Sequence, residues 1–265
     1  MSTSSSRPLA LVTGASTGIG FELAKQFAEA DFDLLVTAQD DALDAAVRML
    51  RSVGGAVESV RVDLAADEGV DQLWGRVQEL GRPVAAAALN AGRGAGGAFT
   101  DVDLADELEI IDLNIRSTVQ LAKHVVRDMV ARGDGRILLT SSIASTMPGA
   151  FQAVYNDSKS FVQSFALALR NELEDTGVTI TSLMPGPTET AFFERADMLD
   201  TKVGASDKDD PADVARDGFE AMMAGKERVV AGSVSTKLQG KGSRLIPDRV
   251  KAEMHRRMAE PGSGS

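Results

Sequence analysis

Short apolar runs rich in β-branched residues alternate with longer stretches of helical periodicity between residues 8 and 184. This alternation constrains the fold more than any other feature, because such runs suit strands that are buried on both faces of a parallel sheet. Successive strands and helices then form right-handed βαβ units. The sequence therefore predicts an α/β protein, a doubly wound parallel sheet with helices on both faces. The predicted strands are residues 8–13, 33–38, 57–62, 84–90, 136–141 and 178–184, and the predicted helices are residues 18–30, 41–53, 67–80, 103–131 and 153–175.

The length of 265 residues is near the upper limit of what one hydrophobic core organises, so we expect a single domain, over residues 1–236. The net charge is −11, yet residues 237–265 hold seven Lys or Arg against three Asp or Glu. An acidic body argues against nucleic acid as a partner, because phosphate binding needs clustered cations. We therefore expect an acidic domain followed by a basic C-terminal tail.

Apolar residues recur every four positions in this tail, after the sequence GKGS at 240–243, which we interpret as a linker. Pro247 suits a first helical turn. The pattern predicts a short amphipathic helix whose apolar stripe packs near the substrate loop, at about residues 187–205, or on another subunit. A frayed surface helix is the alternative. The stripe consists of Ile246, Val250, Met254 and Met258.

The chain has no cysteine and only two histidines, His124 and His255, so we expect neither disulfides nor a metal site. Its first residues, MSTSSSRP, lack the apolar core of a signal peptide. The longest nearly apolar run, residues 84–89, is too short to span a bilayer. These features favour a soluble, cytoplasmic protein with no membrane partner.

A glycine-rich segment, LVTGASTGIG at residues 11–20, lies between the first predicted strand and the first predicted helix. In this position Gly14 permits a tight turn, Gly18 lets the backbone approach a pyrophosphate, and Gly20 allows the helix to pack on the strand. The free N–H groups and the positive end of the helix dipole then face the phosphates. The pattern indicates dinucleotide binding, with a glycine turn needed only for packing as the alternative.

The spacing G-x-x-x-G-x-G resembles that of the short-chain dehydrogenase/reductase family. Further segments match that family's pattern in order over roughly residues 7–190. The resemblance implies a single-domain Rossmann fold, an NAD(P) cofactor, an alcohol or carbonyl substrate and a homo-oligomer, either dimer or tetramer. The matching segments are VDL at 62–64, LNAG at 89–92, IDLNIRS at 111–117, TSSIAS at 140–145, YNDSK at 155–159 and PGPTET at 185–190.

The resemblance implies a catalytic tetrad of Asn114, Ser142, Tyr155 and Lys159. Tyr155, the only tyrosine of the chain, is then the acid/base, and Lys159, one helical turn further on the same face, supplies the charge that lowers the phenol pKa and binds the ribose. Ser142 stabilises the substrate oxygen, with Ser141 as the competing candidate. The cofactor-binding residues implied are Thr13, Gly14, Ser16, Thr17, Gly18, Ile19, Gly20, Gln39, Asp63, Leu64, Asn90, Ala91, Gly92, Tyr155, Lys159, Pro185, Gly186, Thr188 and Thr190.

Asn114 neighbours an apolar stripe of the long predicted helix. An unpaired buried amide costs about 1–3 kcal/mol, so we expect it to have hydrogen-bond partners. It is either a structural residue bonded to backbone or, by the resemblance, a water-holding relay between Lys159 and solvent, and the two roles are compatible. The stripe consists of Leu104, Leu108, Ile111, Ile115, Val119, Ala122 and Met129.

The end of the second predicted strand, VTAQDD at 36–41, bears on the choice of cofactor. In this fold an acidic side chain there bonds the ribose 2′-OH of NAD, and a basic one receives the 2′-phosphate of NADP. By the resemblance, Ala38 and Gln39 occupy those two positions, so neither signature is present. The carboxylates of Asp40 and Asp41 repel a phosphate by about 1 kcal/mol or more each at near-contact distance. We therefore expect NAD to be preferred.

The sequence thus predicts an oxidoreductase that moves a hydride between a nicotinamide and a carbonyl or alcohol in an apolar pocket. A catalytically silent, NAD(P)-binding sensor or scaffold of the same fold is the alternative. A nucleotide-sugar epimerase or dehydratase would favour a different glycine spacing and a longer substrate domain. The candidate pocket residues, for each of which a place in the hydrophobic core is the alternative, are Phe99, Met147, Phe151, Met184, Phe192, Phe193, Met198 and Leu199.

Two features depart from the family's pattern. Asp157 stands between Tyr155 and Lys159, where small residues are usual, although an i+2 position points to another face of a helix. The end of the chain also lacks the family's V-T-G and D-G-G segments. We therefore extend expectations about subunit interfaces no further than about residue 225.

Overall fold

The computed structural model describes residues 7–233, 236 and 247–264. They contain a sheet of seven parallel strands in the order β3-β2-β1-β4-β5-β6-β7. The predicted doubly wound Rossmann-type fold is therefore confirmed. The strands are β1 Leu9–Thr13, β2 Asp33–Ala38, β3 Val57–Arg61, β4 Val84–Leu89, β5 Gly135–Thr140, β6 Val178–Pro185 and β7 Arg228–Ala231.

Helices cover both faces of the sheet and separate the strands along the chain. They are α1 Gly18–Glu29, α2 Ala42–Val53, α3 Gly69–Leu80, α4 Leu104–Ile111, α5 Thr118–Arg132, α6 Ala153–Glu172, α7 Phe192–Arg195, α8 Lys202–Ala205, α9 Pro211–Met223 and α10 Asp248–Ala259. No helix of the described residues is long and apolar enough to cross a membrane.

Two apolar layers hold the helices on the sheet. On one face α1, α2 and α9 pack on side chains such as Val12 of β1, and on the other face α3, α5 and α6 pack on side chains such as Leu11. Neighbouring residues of a strand point to opposite faces, so a central strand between two helical layers must be apolar throughout. All five residues of β1 are buried accordingly.

Strand β7 of the sheet and helix α9, which packs on the sheet, were not predicted. The side chain of Asp210 caps α9 by accepting a hydrogen bond from the backbone N–H of Ala212 at 2.8 Å, and Pro211 occupies the first turn. β7 has four residues and pairs with β6 at the sheet edge. The cap and the proline gave a usable signal for the helix, whereas so short an edge strand has little periodicity to detect.

The predicted helix at 103–131 is interrupted. A π-helical turn, Asp112–Ser117, separates α4 from α5, and Asn114 lies within it. The first residues of the expected apolar stripe do not form a buried face. Leu104, Leu108 and Ile111 are 68%, 49% and 39% exposed. The side chain of Asn114 is buried instead.

The C-terminal tail contains α10, in the segment where a helix was predicted. Its predicted apolar stripe faces the domain only in part. Val250 and Met254 are 48% and 43% exposed, whereas Met258 is partly buried, and the buried residues of the helix are His255 and Ala259. Pro247 precedes the first turn as the N-cap residue. Ile246 and the predicted linker at 240–243 lie outside the described residues.

Candidate active site

A cavity of about 670 Å³ opens at the carboxyl ends of the parallel strands. The strand order reverses between β1 and β4, and a doubly wound sheet binds ligands at such a reversal. The cavity wall continues from the segment after β1 across those after β4, β5 and β6. This is the edge at which the cofactor and the catalytic residues were predicted to meet.

The glycine loop forms one end of this cavity. Gly14 and Gly18 have φ angles of +67° and +58°, which L side chains rarely adopt. A Cβ atom on Gly20 would lie 2.0 Å from the carbonyl oxygen of Gly14, so the start of α1 can approach the turn only without a side chain there. Thr17, the N-cap residue of α1, makes no side-chain cap hydrogen bond. The loop thus presents backbone N–H groups of a helix start to the cavity.

Asp40 is part of the wall beside this loop. Its carboxylate accepts hydrogen bonds from Ser16 Oγ at 2.9 Å and from the backbone N–H of Ala42 at 3.1 Å. Asp63 accepts from the N–H of Ala65 at 2.8 Å in the neighbouring segment. Two oriented carboxylates therefore border the glycine-loop end of the cavity.

Thr13 supports the cavity without lining it. Its hydroxyl oxygen accepts hydrogen bonds from the backbone N–H groups of Asn90 and Ala91 at 2.9 and 3.0 Å. The amide oxygen of Asn90 in turn accepts from Thr140 Oγ1 at 3.1 Å. Thr13, which the resemblance assigns to the cofactor, is 2% exposed, and its hydroxyl joins the end of β1 to the segment after β4, so its part in cofactor binding stays a prediction.

Tyr155 lies in the first turns of α6 and faces the cavity with Ser142. Burial raises the pKa of the Tyr155 phenol to about 12, and a hydrogen bond with Ser142 offsets part of that rise. This direction is opposite to the lowering expected from the sequence.

Lys159 is buried beneath Tyr155. Its Nζ lies 5.9 Å from the centre of the Tyr155 ring and donates a hydrogen bond to the carbonyl oxygen of Thr140 at 3.0 Å. Burial lowers the pKa of the Lys159 ammonium to about 8. A Cβ atom on Gly92 would come within 3.0 Å of Nζ, so this glycine leaves the space that the lysine occupies.

Asn114 does not line the cavity but has three hydrogen bonds around it. Its Oδ1 accepts from the backbone N–H of Arg93 at 2.9 Å, and its Nδ2 donates to the Arg93 carbonyl and to Ser158 Oγ, both at 2.9 Å. Ser158 in turn donates to the carbonyl oxygen of Tyr155 at 2.7 Å. Asn114 therefore connects the turn after β4 to the helix that carries Tyr155.

The two candidate serines after β5 have different partners. Ser141 Oγ donates to the backbone carbonyl of Lys159 at 2.8 Å and is directed into the protein. Ser142 is the N-cap residue of a short 3₁₀ helix, Ile143–Thr146, and its Oγ accepts from the N–H of Ala144 at 3.1 Å. Of the two serines, Ser142 is the one whose hydroxyl interacts with Tyr155.

The segment after β6, predicted to hold the nicotinamide, is fixed by Asp209, which the sequence did not indicate. The backbone of Asp209 donates to the Pro187 carbonyl at 2.8 Å and accepts from the N–H of Glu189 at 2.9 Å. Its carboxylate accepts from the N–H of Ser233 at 2.9 Å and from Thr236 Oγ1 at 2.8 Å. Asp209 thus anchors the loop that carries Thr188 and Thr190 to the end of β7.

The other end of the cavity is built differently from the predicted apolar pocket. Met147, Phe192 and Phe193 line it, and the Phe192 ring lies 5.1 Å from the Tyr155 ring. The remaining candidates are corrected. Phe99 and Leu199 are exposed at the surface, Met184 and Met198 are buried outside the wall, and Phe151 packs behind it. The wall residues that the sequence did not indicate at this end include Ile143, Ala144, Gln152, Arg195, Lys202, Val203, Ser206, His255, Met258 and Ala259.

Except for Thr13 and Asn114, every residue assigned to the cofactor or to catalysis by the sequence belongs to the cavity wall. Asp157, whose position departs from the family's pattern, is exposed on another face of α6. The assigned residues on the wall are Gly14, Ser16, Thr17, Gly18, Ile19, Gly20, Gln39, Asp63, Leu64, Asn90, Ala91, Gly92, Ser142, Tyr155, Lys159, Pro185, Gly186, Thr188 and Thr190.

A family model described as short chain dehydrogenase matches residues 8–199. The chain belongs to the short-chain dehydrogenase family. An uncharacterized oxidoreductase, YmfI of Bacillus subtilis (strain 168), is 31% identical over 189 residues, which cover 70% of this chain and 77% of that protein. The chain is an oxidoreductase of this family.

Solved structures of short-chain dehydrogenases have the same fold. One from Sphingobium yanoikuyae, in complex with NADPH, gives a TM-score of 0.78 at 27% identity and covers 84% of this chain and 86% of that one. Another, from Burkholderia phymatum in complex with NAD, gives 0.77 at 23% identity and covers 84% and 88%, a likeness that supports the fold alone. These two neighbours carry different nicotinamide cofactors.

The cavity suits a dinucleotide of the kind these short-chain dehydrogenases carry. The glycine loop leaves a turn free of side chains, and Thr190 of the anchored loop lies directly against it, since a Cβ atom on Gly18 would come within 2.8 Å of Thr190 Cγ2. The match to the family model ends at residue 199, however, so α8 and α10 lie beyond it. The end of the cavity that these two helices line is therefore partly made by residues outside the segment that the family model matches.

Proposed function

We propose that this chain interconverts a carbonyl and an alcohol with a nicotinamide dinucleotide, and that Tyr155 moves the proton at the substrate oxygen. One observation carries the proposal. The hydroxyls of Tyr155 and Ser142 share the wall of the cavity whose other end is the glycine loop. A group that moves a proton, a donor for the reacting oxygen and a dinucleotide-sized space are thereby combined in one site.

The glycine loop, Asp63, Asn90 and the loop with Thr188 and Thr190 would hold the cofactor along the strand ends. When bound, the nicotinamide would supply or accept the hydride. The chain itself orients the two ends of the cofactor, since β1 and β6 carry these loops at the same edge of the sheet. The aromatic ring of Phe192 packs beside that of Tyr155, with the ring centres 5.1 Å apart.

Tyr155 is protonated at neutral pH, because burial raises its pKa to about 12. A protonated phenol that bonds Ser142 is ready to donate to a carbonyl oxygen, while Ser142 stabilises the negative charge that develops on that oxygen. In the opposite direction the phenol must lose its proton first, which needs a positive charge nearby. Lys159, held by Thr140 below the ring, is the residue of this chain placed to contribute part of that charge.

Asn114 acts on this site through its partners. It fixes the backbone of Arg93 beside Gly92 and bonds Ser158, which bonds the backbone of Tyr155. We assign it the role of a positioning residue, and a water-holding relay from Lys159 remains compatible with this role. NAD(H) is the preferred cofactor in our proposal, because Asp40 in the wall would repel a 2′-phosphate.

A spectrophotometric screen of ketones, aldehydes and alcohols with NAD(H) and NADP(H) tests the proposal, with the Tyr155→Phe variant as the decisive comparison. We expect kcat to fall by about 10²- to 10⁴-fold in this variant, because a general acid/base is lost. The dissociation constant of the cofactor and the melting temperature should stay close to those of the wild type. Near wild-type turnover by Tyr155→Phe, or no turnover of any compound by the wild type, would contradict the proposal.

A further inference from the structure

α10 contributes a histidine to the substrate end of the cavity. His255 is 6% exposed, belongs to the cavity wall, and its Nδ1 lies 2.9 Å from the carbonyl oxygen of Ala150. A carbonyl oxygen only accepts hydrogen bonds, so Nδ1 carries the hydrogen. Burial lowers the pKa of His255, so the ring is neutral at pH 7 and Nε2 has a free lone pair. No described residue donates a hydrogen bond to Nε2.

The position of this ring is fixed from several sides. The Arg256 guanidinium lies 5.2 Å from the centre of the Phe151 ring, and Ala259 packs in the apolar cluster with Phe193. The residues after α10 are tied to the segment before α8, since the backbone N–H of Gly264 donates to the carbonyl oxygen of Asp200 at 2.8 Å. These contacts fix α10, and with it His255, at the cavity wall.

The wall at this end of the cavity contains the polar side chains of Gln152, Arg195, Lys202 and Ser206 beside apolar ones, but none of these polar groups donates a hydrogen bond to Nε2 of His255. Met147, Phe193, Val203 and Met258 line the same end of the cavity. A wholly apolar substrate that fills this end would remove water from Nε2 and give it no partner. A buried acceptor without a donor is costly, so such a site discriminates in favour of ligands that carry a donor.

We propose that Nε2 of His255 accepts a hydrogen bond from a hydroxyl group of the substrate, remote from the reacting carbonyl, and that the enzyme therefore prefers hydroxylated ketones or aldehydes. The inference rests on the proposed function, which places the reacting oxygen at Tyr155 and Ser142. It adds a substrate class to that function and a specificity-determining residue from a helix beyond the segment that the family model matches.

Two ketone series test this role, the 2-alkanones of five to nine carbons and the same ketones with a terminal hydroxyl group. The wild type should favour the hydroxylated member of at least one pair by about tenfold or more in kcat/KM. In His255→Asn the amide nitrogen stands where Nδ1 was and can still donate to Ala150, but no acceptor remains at the position of Nε2. The ratio of kcat/KM for the hydroxylated ketone to kcat/KM for its unsubstituted partner should then fall towards one.

The control is His124→Asn, because the other histidine stacks on Trp74 in a surface contact outside the cavity wall. It should retain the preference. A binding measurement makes the outcome independent of turnover. The Tyr155→Phe protein and the Tyr155→Phe, His255→Asn double variant, both loaded with cofactor, are titrated with each ketone pair in a calorimeter. The hydroxylated ketone should bind more tightly only where His255 is present.

The proposal is overturned if the wild type shows no preference for the hydroxylated member in either measurement, or if His255→Asn keeps the preference. Failure of the proposed function has a different signature. If neither series is turned over while calorimetry still shows a preference that depends on His255, the catalytic assignment fails for these ketones and the role of His255 stands.

Discussion

The glycine-loop end of the cavity consists largely of backbone and of side chains at strand ends, whereas the end beyond Tyr155 consists of side chains from three separate segments. Those segments are residues 143–152, 192–206 and 255–259. The first end is held by the sheet itself, and the second by contacts between loops and short helices. Changes at the first end should therefore damage the fold and cofactor binding together, while changes at the second should alter substrate use and leave the cofactor bound.

The largest effect is expected from Gly20→Ala at the first end. The new Cβ atom would lie 2.0 Å from the Gly14 carbonyl oxygen, so the turn or the start of α1 must move. We expect a loss of about 2 kcal/mol or more in the free energy of unfolding and a cofactor dissociation constant raised by a factor on the order of 10–100. Denaturant unfolding and fluorescence titration with NADH would measure both.

Gly75→Ala is the matched control, since nothing lies within 4 Å of a Cβ atom at this position of α3. It should stabilise the protein by about 0.5–1 kcal/mol, because alanine loses less backbone entropy than glycine in a helix. Equal effects of the two substitutions would mean that close approach at Gly20 is not what holds the glycine loop.

The pKa of Tyr155 reports how far the middle of the cavity, between its two ends, is shielded from water. The chain contains one tyrosine, so tyrosinate absorbance reports this phenol alone. With a pKa near 12, the native protein should show little tyrosinate at pH 10.5, where a tyrosine of pKa about 10 is roughly three-quarters ionised. Protein unfolded in denaturant is the control and should titrate near the ordinary value.

Addition of oxidised cofactor should move this titration to lower pH, because a cation near the phenol favours the phenolate. A native titration that coincides with that of the unfolded protein would show that Tyr155 is in contact with water. In that case the middle of the cavity, between its two ends, would be more open to water than it is in the structure.

Ending the chain after Gly240 removes α10 and tests the second end. We expect kcat/KM for a carbonyl substrate to fall by about tenfold or more, since one wall of the substrate end is lost. The cofactor dissociation constant should change by less than about threefold, because the residues of the glycine-loop end belong to other elements. Steady-state kinetics and cofactor titration separate the two quantities.

Val250→Ser and Met254→Ser are controls on the same helix, since both side chains point away from the domain. Neither should change kcat/KM appreciably. Unchanged activity, stability and oligomer size after the truncation would instead support a frayed surface helix with no part in the site.

The smallest effect is expected from Asp40→Asn at the border of the glycine-loop end. The substitution keeps the shape of the side chain beside Ser16 and removes a negative charge that would face a 2′-phosphate. NADPH affinity relative to NADH should rise by about fivefold, corresponding to roughly 1 kcal/mol, and more at low ionic strength. Asp44→Asn, on the exposed face of α2 and outside the cavity wall, should leave the ratio unchanged.

Tighter binding of NADPH than NADH by the wild type would contradict the charge argument itself. Because Asp40 bonds both the glycine loop and the start of α2, the unfolding free energy of the variant should be measured beside its cofactor affinities. A change in stability without a change in the ratio would assign this carboxylate a purely structural role.

The sequence alone determined the strand–helix alternation, the glycine loop, and the residue types and order that place Ser142, Tyr155 and Lys159 at one edge of the sheet. The alternation and the glycine loop depend on neighbours within a turn or a single element, so spacing along the chain reveals them, whereas Ser142, Tyr155 and Lys159 were identified by the resemblance to the family. The short edge strand β7 shows the limit of this approach, since four residues carry too little periodicity.

Tertiary structure decided the rest, because it depends on packing between distant parts of the chain. The same apolar spacing that predicted a buried stripe at Leu104 and Leu108 leaves those side chains in solvent, whereas the polar Asn114 is buried with hydrogen-bond partners on Arg93 and Ser158. Burial, which spacing does not give, raises the Tyr155 pKa instead of lowering it. His255 enters the cavity because Ala150, more than a hundred residues earlier, binds its ring.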